Sequence, residues 1–259
     1  MKLKIYQIDA FASKVFEGNP AAVCPLENWL EDDVMQKIAE ENNLAETAFF
    51  LKEEDGYHLR WFTPTSEVDM CGHATLASAF VLFECLGFKD EEITFSTKSG
   101  ILKVWREDSQ YVMDFPIQTL VPCDMTIQIE NAFGIKPKIS FTSMDYIVIF
   151  ENEEDIYNAK PNLELLKTLD LRGVCISAKS EKYDFVTRFF APKYGIDEDS
   201  VTGSAFTQLV SYWSEELDTK ELYAKQVSPR GGEVTCHLKG NRIEMSGEAV
   251  KYLEGVIEI

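Results

Sequence analysis

The chain repeats itself, and the repeat narrows its possible folds more than any other feature. Arg60-Trp61-Phe62-Thr63-Pro64 returns as Arg188-Phe189-Phe190-Ala191-Pro192. Gly72 returns as Gly203, after a loop three residues longer. Ser96-Thr97-Lys98-Ser99-Gly100 returns as Ser228-Pro229-Arg230-Gly231-Gly232. The strand-like pair 101–106 and 111–115 returns as 233–238 and 242–246. Four features in one order, about half a chain apart, argue for an internal duplication. Each copy reads as strands, then a buried helix, then a hairpin, so the expected class is α+β with two similar domains. Each domain would wrap a sheet around its own helix. The expected division is 1–118 and 119–259, because Pro116 and Pro122 break the pattern near Gln118 to Cys123. The last strand, 248–259, is open to packing with the first domain. A repeat of this size suggests a pseudo-twofold axis with a cleft between the copies, where ligand sites commonly lie.

Local patterns fill in the copies. Residues 2–9 alternate as a strand, and 21–24 form a short apolar strand that Pro25 is expected to end. Residues 31–42 carry Val34, Met35 and Ile38 on one face, with acidic residues at the start, as an amphipathic helix does. Residues 57–62 alternate as a strand closed by Thr63-Pro64.

The two glycine turns carry the chemistry. Asp69-Met70-Cys71-Gly72-His73-Ala74-Thr75 and Asp199-Ser200-Val201-Thr202-Gly203-Ser204-Ala205 each run into a mostly apolar segment, 76–86 and 206–217. A helix apolar on most faces is a buried helix. Its first turn offers unpaired N–H groups and partial positive charge. Gly72 and Gly203 lack side chains, so an anion can approach those amides closely. The two ends look like halves of one carboxylate cradle.

Glu46 is the lone carboxylate in Leu44-Ala45-Glu46-Thr47-Ala48-Phe49-Phe50. Apolar neighbours favour the neutral carboxyl, which suits proton transfer near neutral pH; the plainer alternative is a Glu at a strand mouth pointing to solvent. His73 can donate to substrate or assist proton transfer, or simply make a first-turn contact. Asp199 can accept from a substrate amine or hydroxyl and Ser204 can donate to a carboxylate; the alternative is helix capping, the expected role of Thr202. A thiol at a helix start, Cys71, would have a lowered pKa and could act as base or nucleophile. Its usual fate is that of a small buried hydrophobe. No second ligand pair with zinc-like spacing accompanies Cys71 and His73, so no metal is expected. There is no Walker A or dinucleotide fingerprint.

A formal charge of −19 over 259 residues argues against nucleic acid and anionic membrane as partners. An anionic ligand must therefore be drawn in by local positive potential. No apolar run reaches membrane-spanning length, and the start of the chain is too polar for a secretory signal. Six Cys without paired spacing read as the thiols of a cytoplasmic protein.

At these residues the sequence resembles the PhzF-like family, the phenazine-biosynthesis-type isomerases of the diaminopimelate-epimerase fold. The resemblance rests on Asp9-Ala10-Phe11 with Phe16-Glu17-Gly18-Asn19-Pro20-Ala21-Ala22-Val23, on Asn43 to Phe49, on Arg60 to Pro64, on Glu67 to Thr75 and on Glu198 to Ala205. It implies two similar domains, each a sheet rolled around a central helix, with the site in the cleft. It implies Glu46 as the acid/base that moves a proton between carbons, with His73, Asp199 and Ser204 contacting substrate. It implies that the Gly72, His73, Gly203 and Ser204 amides hold a carboxylate, that no cofactor is used, and that the protein is a homodimer. Ser200 stands where the family usually has Pro, and Phe206 where it often has His or a small residue. The epimerases of this fold use two opposed Cys; Cys71 matches one and Thr202 occupies the other position, which argues against two-thiol racemisation.

The leading expectation is thus a cofactor-independent isomerase acting on a small carboxylate in the interdomain cleft. The alternatives are an epimerase or racemase using Cys71 opposite Glu46, and a non-catalytic binding protein that keeps the fold.

Overall fold

The computed structural model describes residues 1–259, which form two compact units. One comprises Met1–Asp114 with Ser246–Ile259, the other Phe115–Met245.

The first unit opens with β1 (Lys2–Ala10) and β2 (Asn19–Leu26), paired antiparallel. Helix α1 (Asp32–Asn42) follows, with Met35, Ile38 and Ala39 buried and Asp32 and Asp33 in its first turn. It ends where Asn43 turns left-handed at φ 49 and its N–H donates to Ala39 O, a common way to satisfy a last-turn carbonyl. Strand β3 (Glu46–Glu53) then runs parallel to β2. Strand β4 (Gly56–Phe62) is antiparallel to β3, and the short β5 (Glu67–Val68) pairs with β4. Helix α2 (Gly72–Phe80) buries residues 73 to 79 without a break, as a helix with no polar face must. Its polar members bond within the helix: Thr75 Oγ1 donates to Cys71 O (2.6 Å) and Ser78 Oγ to Ala74 O (2.7 Å). The helical segment expected to reach residue 86 changes character at residue 81, where Val81–Cys85 widen into a π-turn. Strand β6 (Glu92–Thr97) is parallel to β4, and β7 (Gly100–Glu107) and β8 (Gln110–Pro116) form the expected hairpin.

The second unit opens with β9 (Val121–Cys123), α3 (Thr126–Phe133), β10 (Ile139–Thr142) and β11 (Tyr146–Ile149). Short helices α4 (Glu153–Tyr157) and α5 (Leu163–Lys167) lead to β12 (Val174–Lys179) and β13 (Phe185–Ala191). Then come β14 (Ile196–Asp199), α6 (Gly203–Glu216), β15 (Glu221–Gln226), β16 (Gly232–Lys239) and β17 (Arg242–Gly247). The last strand, β18 (Ala249–Glu258), runs antiparallel to β1.

The duplication is visible in strand pairing. β2 and β3 are parallel, as are β11 and β12. β3 and β4 are antiparallel, as are β12 and β13. β4 runs parallel to β6, and β13 to β15. One side-chain arrangement recurs at atomic detail. Arg60 forks onto Glu67 (Nε–Oε1 2.7 Å, Nη2–Oε2 3.0 Å) and lies 5.2 Å from the Phe62 ring centre. Arg188 forks onto Glu198 (2.7 and 2.8 Å) and lies 5.1 Å from Phe190. The repeated Arg-aromatic-aromatic sequence therefore encodes a bidentate pair that ties β4 to β5 and β13 to β14.

Pro25 does not end its strand. β2 continues to Leu26, with Pro25 opposite Phe50 of β3. The β1 ladder on the other side of β2 stops at Val23, so at residue 25 no partner from β1 requires an N–H, the situation in which a sheet tolerates proline.

Candidate active site

Three side chains meet at the start of α2. Glu46 opens β3, opposite Ala21 of β2, which brings it to the sheet end where β2 begins with Asn19. The α2 N-terminus arrives at that same end. Glu46 Oε2 lies 3.1 Å from His73 Nε2, with the two side chains 14% and 6% exposed. Neither atom has a hydrogen-bond partner, because the approach lacks the alignment a hydrogen bond needs. The two atoms thus face each other as a buried ion pair with no hydrogen bond, which leaves hydrogen-bonding capacity that a ligand can use. The other ring nitrogen is occupied: His73 Nδ1 is 3.4 Å from Cys71 Sγ and 3.3 Å from Asn19 Nδ2. Sequence reasoning included Asn19 only in a stretch that carries the family resemblance and gave it no role. Its position at the start of β2 is what turns it toward His73.

Burial pushes the Cys71 thiol up, as does the Glu46 charge. The lowered thiol pKa expected at a helix start is corrected here: desolvation outweighs the helix end. Burial alone would depress His73, but adjacent negative charge outweighs it and holds the imidazole well above its ordinary range. Cys71 and Glu46 are both candidates for that charge. The Cys71 sulfur lies beside Nδ1 and the Glu46 carboxyl beside Nε2, so both flank the ring.

The α2 first turn is left open. Cys71 occupies the N-cap with extended backbone, and no side chain caps the helix. The same holds at α6, where Thr202 is the N-cap residue and its side chain does not cap. The expected capping role of Thr202 is therefore corrected. Its hydroxyl donates instead to Asp199 Oδ2 (2.6 Å). Gly72 and Gly203 each begin their helix, followed by His73 and Ser204, so the two named amide pairs occupy equivalent first-turn positions. Uncapped first-turn amides are what an anion site requires.

The turn before α6 is clamped from beneath. Gln226, fully buried, accepts from Thr202 N (2.8 Å) and donates to Asp199 O (2.7 Å). Ser228 Oγ donates to Ser200 O (2.7 Å) and accepts from Gly231 N (3.0 Å). The repeated Ser-Pro-Arg-Gly-Gly stretch thus supports the loop that carries Asp199. Beside α6, Arg172 grips the fully buried Asp145 through Nε (2.8 Å) and Nη2 (2.6 Å). Its Nη2 also donates to Ser204 Oγ (2.8 Å), while Gln208 Nε2 donates to Asp145 Oδ2 (2.8 Å). Sequence reasoning missed Arg172, Asp145 and Gln208. The available signal was a charge directly before the apolar strand 146–149, the same kind of signal that singled out Glu46. A hollow lined by Phe83, Phe88, Lys89, Asp90, Trp105 and Arg106 contains none of the site residues.

Two units, each with an uncapped buried helix, one of them carrying a carboxylate and an imidazole at the helix start, have the α+β fold of the diaminopimelate-epimerase-like class. Comparison with known proteins gives the family. The model for phenazine biosynthesis-like proteins matches residues 8–255. An uncharacterized isomerase of Pseudomonas aeruginosa is 45% identical over 259 residues, covering 100% of both chains. The mouse phenazine biosynthesis-like domain-containing protein 1 is 43% identical, covering 99% of each chain. The crystal structure of a PhzF-family phenazine biosynthesis protein from Enterococcus faecalis superposes with a TM-score of 0.96 at 44% identity, covering 100% of both chains. The chain belongs to the phenazine biosynthesis-like (PhzC–PhzF) family, an enzyme family whose curated members include named isomerases.

Proposed function

We propose that this protein is a cofactor-independent isomerase that shifts a proton between carbons of a small carboxylate, with Glu46 as the acid/base. The observation that carries this reading is the buried approach of Glu46 Oε2 to His73 Nε2, 3.1 Å apart and without a hydrogen bond, at an uncapped helix start. A substrate carboxylate against the Gly72 and His73 amides would present its neighbouring C–H to Glu46. Glu46 takes the proton, the C–H electron pair moves into the carboxylate-conjugated system, and the same carboxyl returns the proton to a different carbon. First-turn amides oppose the negative charge that develops, which is how a preorganised site lowers such a barrier. His73 donates to the substrate. In this reading the α6 half-site binds the same substrate between the two domains, with Ser204 donating to it and Asp199 accepting from its amine or hydroxyl. The enzyme acts as a homodimer in the cytoplasm, which light scattering on the purified protein and fractionation of cells would check.

Isotope exchange tests the reading. The protein is incubated in D2O with a panel of small unsaturated and cyclic carboxylic acids, and carbon-bound deuterium is read by NMR. Wild type should introduce deuterium, and Glu46→Gln should lower the rate by about a hundred- to ten-thousand-fold, the usual worth of a general acid/base. Exchange that survives Glu46→Gln unchanged would exclude Glu46 as the base. The Cys71 epimerase alternative is less well supported, because burial and the Glu46 charge push the thiol up.

A further inference from the structure

Thr202 carries a hydroxyl at the N-cap of α6, the place that Cys71 takes at α2. It is buried, and its Oγ1 donates to Asp199 Oδ2 over 2.6 Å, the length of a charge-assisted hydrogen bond. The fully buried Gln226 settles the direction of that bond. Its Oε1 accepts from Thr202 N (2.8 Å) and its Nε2 donates to Asp199 O (2.7 Å). A backbone N–H only donates and a backbone carbonyl only accepts, so the Gln226 amide cannot turn over. Its second N–H is then the donor to Thr202 Oγ1, 3.4 Å away. With that lone pair engaged, the Thr202 hydrogen is left for the carboxylate.

We propose that Thr202, backed by Gln226, is a positioning residue that orients the Asp199 carboxylate toward substrate. The hydrogen bonds run one way, from the Gln226 amide through the Thr202 hydroxyl to Asp199 Oδ2. They hold Asp199 at two levels. Gln226 fixes its backbone carbonyl, and Thr202 fixes the rotation of its side chain. All three polar bonds of the Gln226 amide are used, and a satisfied buried network specifies one arrangement. Thr202 adds stiffness of its own, because a β-branched side chain has few χ1 states. An ionised carboxyl only accepts, so a carboxyl held in this way meets a substrate amine or hydroxyl already oriented. Groups placed before binding spare the reaction the cost of ordering them. Thr202 stands where the two-thiol epimerases carry their second Cys; with its hydrogen committed to Asp199, the position serves orientation instead. The role toward substrate rests on the reading above in which Asp199 accepts from it, whereas the hydrogen-bond chain does not.

Two readouts on the full-length protein test this. The first needs no substrate. Aspartate side-chain carboxyls are labelled with 13C, and the Asp199 resonance is identified by its loss in Asp199→Asn. Thr202→Val keeps the size of the side chain and removes the donor, so the Asp199 resonance should move; Thr202→Ser, which keeps the hydroxyl, should return it to its wild-type position. The second readout is the deuterium exchange described above. Thr202→Val should raise KM about 10- to 100-fold, the usual worth of a hydrogen bond to a charged group, and lower kcat less, and Thr202→Ser should restore KM. Urea unfolding checks that each variant is folded, and Thr202→Ala takes the place of Thr202→Val if valine prevents folding. An Asp199 resonance unmoved in Thr202→Val, an unchanged KM, or a loss that Thr202→Ser does not restore would each overturn the proposal. A resonance that moves and is restored, in a protein that exchanges no deuterium into any acid, would uphold the hydrogen-bond chain and count against the isomerase reading alone.

Discussion

Arg172 Nη2 donates to Ser204 Oγ over 2.8 Å while the same guanidinium forks onto Asp145, which is fully buried. A lone pair of the Ser204 oxygen is thereby engaged, and its own hydrogen is turned away from the guanidinium. A cation behind a hydroxyl also makes it a stronger donor. Arg172 is thus a positioning residue for Ser204, and a structural anchor through Asp145.

The two roles separate on mutation. Arg172→Met leaves the Asp145 charge buried without its partner, which should cost about 3 kcal/mol in urea unfolding, the low end for such a pair because Arg172 is partly exposed. Ser204→Ala removes one hydrogen bond and should cost about 1 kcal/mol. In carboxylate exchange assays, Arg172→Lys should raise KM more than it lowers kcat. On the proposed function, in which Ser204 donates to substrate and Arg172 acts through that hydroxyl, the increase should vanish in a Ser204→Ala background. Additive effects on KM would show that the guanidinium touches substrate itself.

The Arg60–Glu67 fork makes a pH prediction. The hydrogen bond from Arg60 holds the Glu67 carboxyl below its ordinary value, against the opposing effect of burial, with Lys98 adding to the same direction. A carboxyl whose pKa is depressed on folding stabilises the native state at pH above its unfolded value. That contribution is lost as pH falls through the folded value. Stability measured by urea between pH 6 and about 3 should therefore fall, and Glu67→Gln should flatten part of that acid limb. Glu67→Gln should also lower stability at neutral pH. An unchanged acid limb would mean that Arg60 does not discriminate the charged carboxyl from the neutral one.

The duplication was legible because its signals are local. An arginine before two aromatic positions and a glycine before an apolar helix each read the same in either copy. Glu46, His73 and Cys71 were legible one by one for the same reason. Their convergence was not, because Glu46 reaches α2 only through the parallel pairing of β2 with β3, and no short stretch encodes which strands pair. Asp145 and Arg172 lie 27 residues apart in sequence and meet only because β11 and β12 are neighbours. The thiol direction at Cys71 failed for a different reason. Helix-end position is visible in sequence, but the depth of burial that overrides it is a property of the packed unit. Thr202 has the residue type of a cap, and the nearby Asp199 carboxylate takes its hydroxyl instead.

The six thiols divide by burial, and their chemistry should follow. Cys24 and Cys175 are buried and pushed up to about 12 by desolvation, and Cys236 is pushed higher still. Cys85 and Cys123 are partly exposed, with smaller upward shifts. Only thiolate reacts with iodoacetamide, so reactivity falls with both burial and raised pKa. In the native protein near pH 7.5, peptide mapping should find Cys85 and Cys123 labelled first and Cys24, Cys175 and Cys236 last. Cys71 should also react slowly: it is 8% exposed, and burial and the Glu46 charge both favour its thiol. This bears on mechanism. A Cys71 that served as a catalytic base would need a populated thiolate at working pH, and would be alkylated at a rate comparable to the exposed thiols or faster. Rapid, activity-linked labelling at Cys71 would therefore revive the thiol-based epimerase reading. Slow labelling, with deuterium exchange abolished by Glu46→Gln and retained in Cys71→Ala, would leave Glu46 as the group that moves the proton.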